Sequence, residues 1–237
     1  MHYAGGVPLQ GWLQLAVLEE VRAAEPPIRL SALFFEPGAA EQVAAEIQAL
    51  GEVVVGLGAP LSVHGDGSAR ASDELLAARG VAPQRASSEL SRLVAMLSGL
   101  PVFRPATEGA ESGPVPEGAF RDFPLFETNP DGVYCALQGR RLPAKRHPLG
   151  MQLRIDELAG DHVIDDGGDL WHRRIEELDA VACALCAHRY AVGHASWVGD
   201  DADGAIVLPG SSLPNEFARA GVVPPVERLQ LPPVTHA

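Results

Sequence analysis

Two carboxylates stand out as residues that could carry chemistry. Asp179 lies four residues after Ile175 and four before Cys183, so in a helix it falls on or beside an apolar stripe with small neighbours. A carboxylate in that position is costly to bury unless it is paired or binds a metal. Two interpretations follow: a metal ligand that projects over a sheet, or a boundary residue hydrogen-bonded to a nearby loop.

Glu127 ends a short apolar segment and is followed by Thr128-Asn129-Pro130. The carboxyl ends of strands are where α/β folds place their ligands, so Glu127 is a candidate for catalysis or metal binding. The alternative is an ordinary turn residue in water, because carboxylates near loops are common. The residue pattern leaves both interpretations open.

Two groups of charged residues could contact a substrate. Arg70-x-x-Asp73 is either a pair at the start of a helix, which we favour, or a clamp for an anionic substrate. Residues 139–147 carry four fixed positive charges in nine residues, which could contact phosphates or could lie on a solvated connection between helices. These four are Arg140, Arg141, Lys145 and Arg146.

Other motifs give little support to further enzyme classes. Cys183-x-x-Cys186 has the spacing of a metal or redox pair, but it lies inside a predicted helix and Cys135 is the only other cysteine. Structural zinc takes four ligands, so we interpret both as small buried helix residues. The sequence has no Walker loop, no dinucleotide-binding glycine fingerprint and no G-x-S-x-G elbow.

The composition limits the partners. The 237 residues include 18 basic and 31 acidic side chains, a net charge of −13. Such a surface repels phosphate backbones at long range, although a nuclease whose metal ions supply positive charge locally is still permitted. No apolar stretch is long enough for a membrane span, no secretory signal opens the chain, and the three cysteines suit a reducing compartment, so we expect a cytoplasmic protein.

The apolar pattern predicts the elements that position these residues. Residues 2–35 predict three antiparallel strands: apolar side chains alternate at 13–17 and 28–34, and turn residues lie at 5–8 and 25–27. An amphipathic helix over 39–50 leads to a nearly continuous apolar run over 52–57. Such a run is typical of a strand buried on both faces, reached by a right-handed crossover.

The rest of the chain alternates helices and strands. We predict helices within 73–100 with a break at 80–83, a loop over 105–120, a strand over 123–128, helices over 131–138 and 149–159, a helix over 170–190 that begins after the Asp-rich segment 165–169, and a hairpin over 195–208. The order predicts an α/β fold with a mixed sheet, the order of the ribonuclease H-like fold. We expect one RNase H-like domain over 1–209 with a helical insertion at about 66–121, then a Pro-rich extended tail over 210–237.

Several segments, taken in order, point to one family. They are Gly11-Trp12, Gly58-Ala59-Pro60-Leu61, Arg70-x-x-Asp73, Phe126-Glu127-Thr128-Asn129-Pro130, Arg154-Ile155-x-x-Leu158, Leu178-Asp179-Ala180-x-x-Cys183-Ala184-Leu185 and Gly204-x-Ile206-x-Leu208-Pro209. Over about residues 3–209 the chain resembles the predicted ribonuclease H-like nuclease family catalogued as domain of unknown function 429. Their order along the chain carries the resemblance.

The resemblance implies a site for metal-dependent phosphodiester hydrolysis. Glu127 and Asp179 would be the catalytic and metal-binding residues, holding Mg²⁺ or Mn²⁺ that activates water and stabilises the leaving oxygen. Nucleic acid is then a possible partner, while the oligomeric state is not predicted. The implied substrate-binding residues are Arg70, Asp73, Arg140, Arg141 and Lys145.

Two acids that the family pattern requires are missing from this chain. The aspartate expected near Gly6-Val7 on the first strand is absent, and Gly58 stands where an aspartate should precede Ala59. Either Asp66 or Asp73 substitutes, or catalysis has been lost, which we favour. Three hypotheses follow: a metal-dependent nuclease, a non-catalytic RNase H-like module that binds nucleic acid or protein, and a binder of small anionic ligands.

Overall fold

The computed structural model of the protein describes residues 1–21, 28–62, 69–105, 110–200 and 203–219. These residues form one mixed sheet of nine strands with helices on both faces. The strands are β1 His2–Leu9, β2 Trp12–Val21, β3 Arg29–Phe34, β4 Val53–Leu57, β5 Ser112–Pro114, β6 Leu125–Thr128, β7 Val163–Ile164, β8 Ala195–Asp200 and β9 Gly204–Pro209. The helices are α1 Ala40–Ala49, α2 Ala71–Ala78, α3 Ser88–Met96, α4 Ala119–Asp122, α5 Pro130–Gln138, α6 Pro148–Gly160 and α7 Ile175–Ala191.

The sheet has the predicted mixed topology. Its strand order is β5-β8-β9-β6-β4-β1-β2-β3-β7. The first three strands are antiparallel to one another, β4 is parallel to both β1 and β6, and β6 is parallel to β9. The run β3-β2-β1-β4-β6 confirms the antiparallel opening and parallel continuation of a ribonuclease H-like sheet.

Long helix α7 covers one face of the sheet and a helix pair covers the other. The buried side of α7 packs over β1, β2 and β4, while α1 and α3 pack together on the opposite face. Gly5 makes the approach of α7 possible, because a Cβ there would lie 2.0 Å from the carbonyl oxygen of Ala180. The parallel strands therefore end beside α7, and this edge holds the candidate site.

The predicted turn at residues 5–8 is wrong. These residues lie inside β1, and the chain turns at Gln10 and Gly11, which both have positive φ angles. Gly5 resembled a turn residue because glycine marks both turns and close backbone contacts. The contact that requires it comes from a helix about 175 residues later in the chain, which local pattern cannot show.

Two element boundaries also differ from expectation. The late helix begins at Ile175, not Leu170, because Asp169 caps a short 3₁₀ turn and the Glu177 side chain accepts the Arg174 backbone N–H. The expected loop over 105–120 contains β5 and the start of α4. None of the helices in the described ranges combines the length and apolar character that a membrane span requires.

Some predictions fall on residues outside the described ranges. They include Asp66, the turn at 25–27, and the tail beyond residue 219. The domain boundaries and the insertion at about 66–121 stay predictions, although α2 and α3 do lie within that interval.

Candidate functional site

Strand β6 places Glu127 at the carboxyl edge of the sheet. Glu127 pairs in register with Leu57 on β4 and with Ile206 on β9, and it is 5% exposed. Its Oε2 accepts the backbone N–H of Leu61 at 2.9 Å. Thr128 continues the strand, and Asn129 ends it by capping α5. The local sequence therefore buries a carboxylate where a strand gives way to a helix.

Arg70 occupies both oxygens of this carboxylate. Its Nη1 donates to Glu127 Oε2 at 2.8 Å and its Nη2 donates to Glu127 Oε1 at 2.6 Å. Arg70 is the N-cap residue of α2 and 3% exposed, and it also binds Asp73 through two hydrogen bonds of 2.9 Å. The local Arg70–Asp73 pair and the strand-end acid thus form one buried network.

Burial and ion pairing have opposite effects on the charged groups of this network. Burial raises the pKa of Glu127, whereas the Arg70 ion pair and the Leu61 amide favour the ionised carboxylate. Burial also disfavours the Arg70 guanidinium, but hydrogen bonds and charge from Glu127 and Asp73 raise the pKa of Arg70 above its ordinary value. Two planar hydrogen bonds to a buried guanidinium are a strong, geometrically fixed interaction, so Glu127 is held as a partner of Arg70.

Helix α7 places the second acid, Asp179, on its buried side. Asp179 is 6% exposed, and its Oδ2 accepts a 2.6 Å hydrogen bond from Nζ of Lys145. The same ammonium lies 3.4 Å from Asp131 Oδ2, and Arg154 donates to Asp131 Oδ1 at 2.7 Å. Two acids and two bases from four segments of the chain therefore form a second network.

One oxygen of Asp179 has a different environment. Within the described residues nothing donates a hydrogen bond to its buried Oδ1. Burial raises the pKa of Asp179 to about 6 despite the opposing effect of Lys145. Burial lowers the pKa of Lys145, but Asp179 and Asp131 more than compensate and raise it overall. At neutral pH the pair is therefore an ammonium facing a carboxylate.

A cavity of about 220 Å³ opens over this pair. Its lining includes Asp179, Lys145, Val7 and Gly58. The last two are the positions at which the family resemblance leads us to expect acids that the sequence does not contain. A Cβ at Gly58 would lie 2.8 Å from both Cys183 Sγ and Val7 Cγ1. The space that an aspartate would need there is occupied by a thiol and a methyl group.

These residues do not fit a two-metal site. Mg²⁺ requires near-ideal octahedral geometry with oxygen ligands, and two ions share carboxylates between them. Here the protein's own cations bind Glu127 on both oxygens and Asp179 on one. In the parts of the chain described above, no three His, Cys, Asp or Glu side chains are grouped so as to hold a metal ion. The roles of Glu127 and Asp179 as ligands stay predictions.

The predicted basic cluster is divided among different partners. Arg141 donates to Glu216 at 2.5 Å, and its backbone N–H donates to the Ala218 carbonyl. Lys145 donates to Asp179, and Arg146 is exposed. Arg140 is half-buried beside the isolated bridge to Ala218. Two of the four charges, Arg141 and Lys145, are therefore engaged by acidic partners within the chain.

Sequence analysis missed the partners of the two acids. Lys145 was interpreted as a phosphate contact, and Asp131 and Arg154 were not considered as site residues. One available signal was that Lys145 is the only lysine among 18 basic residues. A lysine carries its charge as a compact ammonium, whereas an arginine carries it as a planar fork.

Comparison with known proteins bears on this site. No curated protein matches the chain. Among solved structures, the chain is similar to Thermus thermophilus RuvC, with 16% identity, 80% of this chain and 94% of that chain covered, and a TM-score of 0.39. Residues 115–203 match a family model described as "Protein of unknown function (DUF429)". The match agrees with the resemblance predicted from the sequence, and it covers the part of the chain that holds Glu127, Lys145 and Asp179.

Proposed function

We propose that this chain is a ribonuclease H-like module that acts by binding and does not hydrolyse phosphodiesters. One observation carries the proposal: each of the two remaining family acids is bound by a cation of the protein itself. Arg70 holds Glu127 at 2.6 and 2.8 Å, and Lys145 holds Asp179 at 2.6 Å. A metal ion at Glu127 would have to displace the buried Arg70 guanidinium, and one at Asp179 would have to displace the partly exposed Lys145 ammonium.

That displacement is energetically unfavourable. Removing one partner from a buried ion pair typically costs about 3–5 kcal/mol, because the other charge stays buried without compensation. Mg²⁺ also loses water reluctantly and is usually bound through one or two carboxylates together with substrate phosphates. With Val7 and Gly58 in place of acids, the chain offers little to offset these costs.

The test is a cleavage assay on purified protein. Single- and double-stranded DNA and RNA are incubated with Mg²⁺ or Mn²⁺, and Asp179→Asn and Glu127→Gln serve as matched controls. We expect the wild-type protein to cleave no faster than either variant. Metal-dependent cleavage by the wild type that disappears in Asp179→Asn would overturn the proposal and restore Glu127 and Asp179 as catalytic residues.

A metal-dependent nuclease is the second candidate, and the unpartnered Oδ1 of Asp179 favours it. An orphaned carboxylate oxygen beside a cavity is the kind of group that binds a cation or a water molecule. On this alternative Glu127 and Asp179 would hold Mg²⁺ or Mn²⁺, and the ion would activate a water molecule for attack on a phosphodiester. The cleavage assay decides between the two candidates.

The ligand of a binding module is then the open question. The cavity over Asp179 suits a small polar ligand, because ammonium and carboxylate groups line the same 220 Å³ space. Nucleic acid bound through residues 139–147 would contact mainly Arg140 and Arg146, since Arg141 pairs with Glu216. Neutralising Arg140 and Arg146 tests that route: unchanged affinity and unchanged salt dependence would count against it.

A further inference from the structure

We infer that the Lys145 ammonium is a built-in cation, which occupies the place over Asp179 and Asp131 where a divalent cation would otherwise bind. Removing this one positive charge should convert the two carboxylates into a cation site. The inference rests on the proposed loss of metal chemistry and gives it a physical cause: the metal is excluded because a covalently attached cation already compensates the acids.

The geometry supports a cation position at Nζ. The ammonium lies 2.6 Å from an oxygen of Asp179 and 3.4 Å from an oxygen of Asp131. Those two oxygens come from different helices, α7 and α5, and they converge on one point. The second oxygen of Asp179 is buried and accepts no hydrogen bond from any described residue, so it is a further potential ligand for a cation at this point.

The identity of the residue supports the same inference. Every other basic residue in the chain is an arginine, 17 in all, and Lys145 is the one lysine. A guanidinium is a planar fork that binds carboxylates side by side, as Arg70 does with Glu127. An ammonium is a compact, nearly spherical charge, which makes it the side chain most similar to a bound metal ion.

The surroundings also explain why a metal cannot simply join the lysine. Asp131 and Asp179 carry two negative charges, and Lys145 and Arg154 carry two positive charges, so the cluster is balanced. A divalent ion added beside Nζ would meet a like charge within a few ångström in a buried site. The lysine and the metal are therefore mutually exclusive occupants.

The experiment measures Mn²⁺ binding to the full chain by calorimetry and by the shift in melting temperature. We compare wild type, Lys145→Met, Lys145→Arg and Lys145→Met/Asp179→Asn. We expect Lys145→Met to bind Mn²⁺ at least tenfold more tightly than wild type and Lys145→Arg. The double variant should lose that gain. Equal affinity in wild type and Lys145→Met, or a gain that survives Asp179→Asn, would overturn the inference.

A chemical route covers the case in which Lys145→Met does not fold. Because the chain has one lysine, an acylating reagent can neutralise only Lys145 and the N-terminal amine. Acylated wild type should gain Mn²⁺ binding, while acylated Lys145→Arg, modified at the N-terminus alone, should not. No gain in the fully acylated, folded wild type would refute the inference.

The outcomes also separate this inference from the proposed function. Metal-dependent cleavage by unmodified wild type would refute the proposed function directly, whatever Lys145→Met does. A wild type without cleavage together with a Lys145→Met variant that binds no Mn²⁺ would leave the proposed function in place and refute only the built-in cation.

Discussion

The strongest mutational test of the site is replacement of Arg70 by methionine. Arg70 is 3% exposed and joins two acids, Glu127 and Asp73, through four hydrogen bonds of 2.6–2.9 Å. Methionine fills similar volume but donates nothing. Among the described residues, the Leu61 amide would then be the hydrogen-bond donor left to Glu127, so a buried carboxylate would lose most of its compensation.

The magnitude follows from that geometry. Breaking a buried ion pair from one side costs about 3–5 kcal/mol. For a chain of this size each kcal/mol lowers the melting temperature by roughly 2–4 °C, so Arg70→Met should lower it by roughly 6–20 °C. Removing both partners in Arg70→Met/Glu127→Leu should recover a large part of the loss, because no uncompensated charge is then left buried.

Chemical and thermal unfolding of four proteins measures the coupling: wild type, the two single variants and the double variant. Arg92→Met is the matched control, since Arg92 also binds two acids, Glu41 and Glu89, but its side chain is 52% exposed. We expect that control to lose far less stability than Arg70→Met, because solvent screens an exposed ion pair.

Two results would refute the reasoning. If Arg70→Met costs no more than Arg92→Met, the buried network does not stabilise the fold as its geometry implies. If Mg²⁺ restores the lost stability of Arg70→Met but has no effect on Arg70→Met/Glu127→Leu, then Glu127 is a metal ligand and Arg70 only its substitute partner.

Three further predictions concern pH, packing and metal. Burial raises the pKa of Asp179 to about 6, above its usual value of about 3.9. Between about pH 3.9 and pH 6, Asp179 therefore holds a proton in the folded protein that it has lost in the unfolded chain. The free energy of unfolding of the wild type, compared with that of Asp179→Asn, should therefore fall by about 3 kcal/mol as pH rises through this range. Urea unfolding measures it, and a difference between the two proteins that does not change with pH would contradict the prediction. Gly5→Ala should cost about 3 kcal/mol or more in the same assay, because its Cβ would lie 2.0 Å from the Ala180 oxygen, whereas Gly99→Ala, with nothing within 4 Å, should be nearly neutral. A chelator should leave the melting temperature of wild type unchanged, and a clear drop would indicate a resident metal.

Much of the fold was predictable because the sheet is built from local patterns. Alternation predicted the strands that became β2 and β3, and the continuous apolar run of β4 indicated a strand buried on both faces. Features that depend on distant contacts were not predictable. The turn was misplaced because Gly5 serves α7, and two-residue β7 carries too little pattern to distinguish it from a loop.

The site residues, like the elements of the fold, were predictable only where the local sequence marks them. A carboxylate on an apolar helix stripe and another at a strand end are visible in local sequence, which is why Asp179 and Glu127 were found. Their partners are not, because Lys145 is 34 residues from Asp179 and Arg70 is 57 residues from Glu127. Pairing across such distances depends on how α2 and the segment before α6 pack against the sheet edge, and no periodicity encodes that.

The two networks together suggest how an acidic metal site can become a structural one. Without acids at the positions near Val7 and at Gly58, where the family resemblance predicts them, the site has too few carboxylates to hold two divalent ions, yet Asp179 is buried and needs a counter-charge. A lysine from a nearby loop meets that need with one unit of charge, matched to the one acid it contacts most closely. Charge balance then works against metal binding: a single ion would require removal of the lysine, and a catalytic pair of ions would also require acids in the space beside Gly58 that Val7 and Cys183 now occupy. Several changes would have to occur together, so we expect no single substitution at Gly58 to restore cleavage.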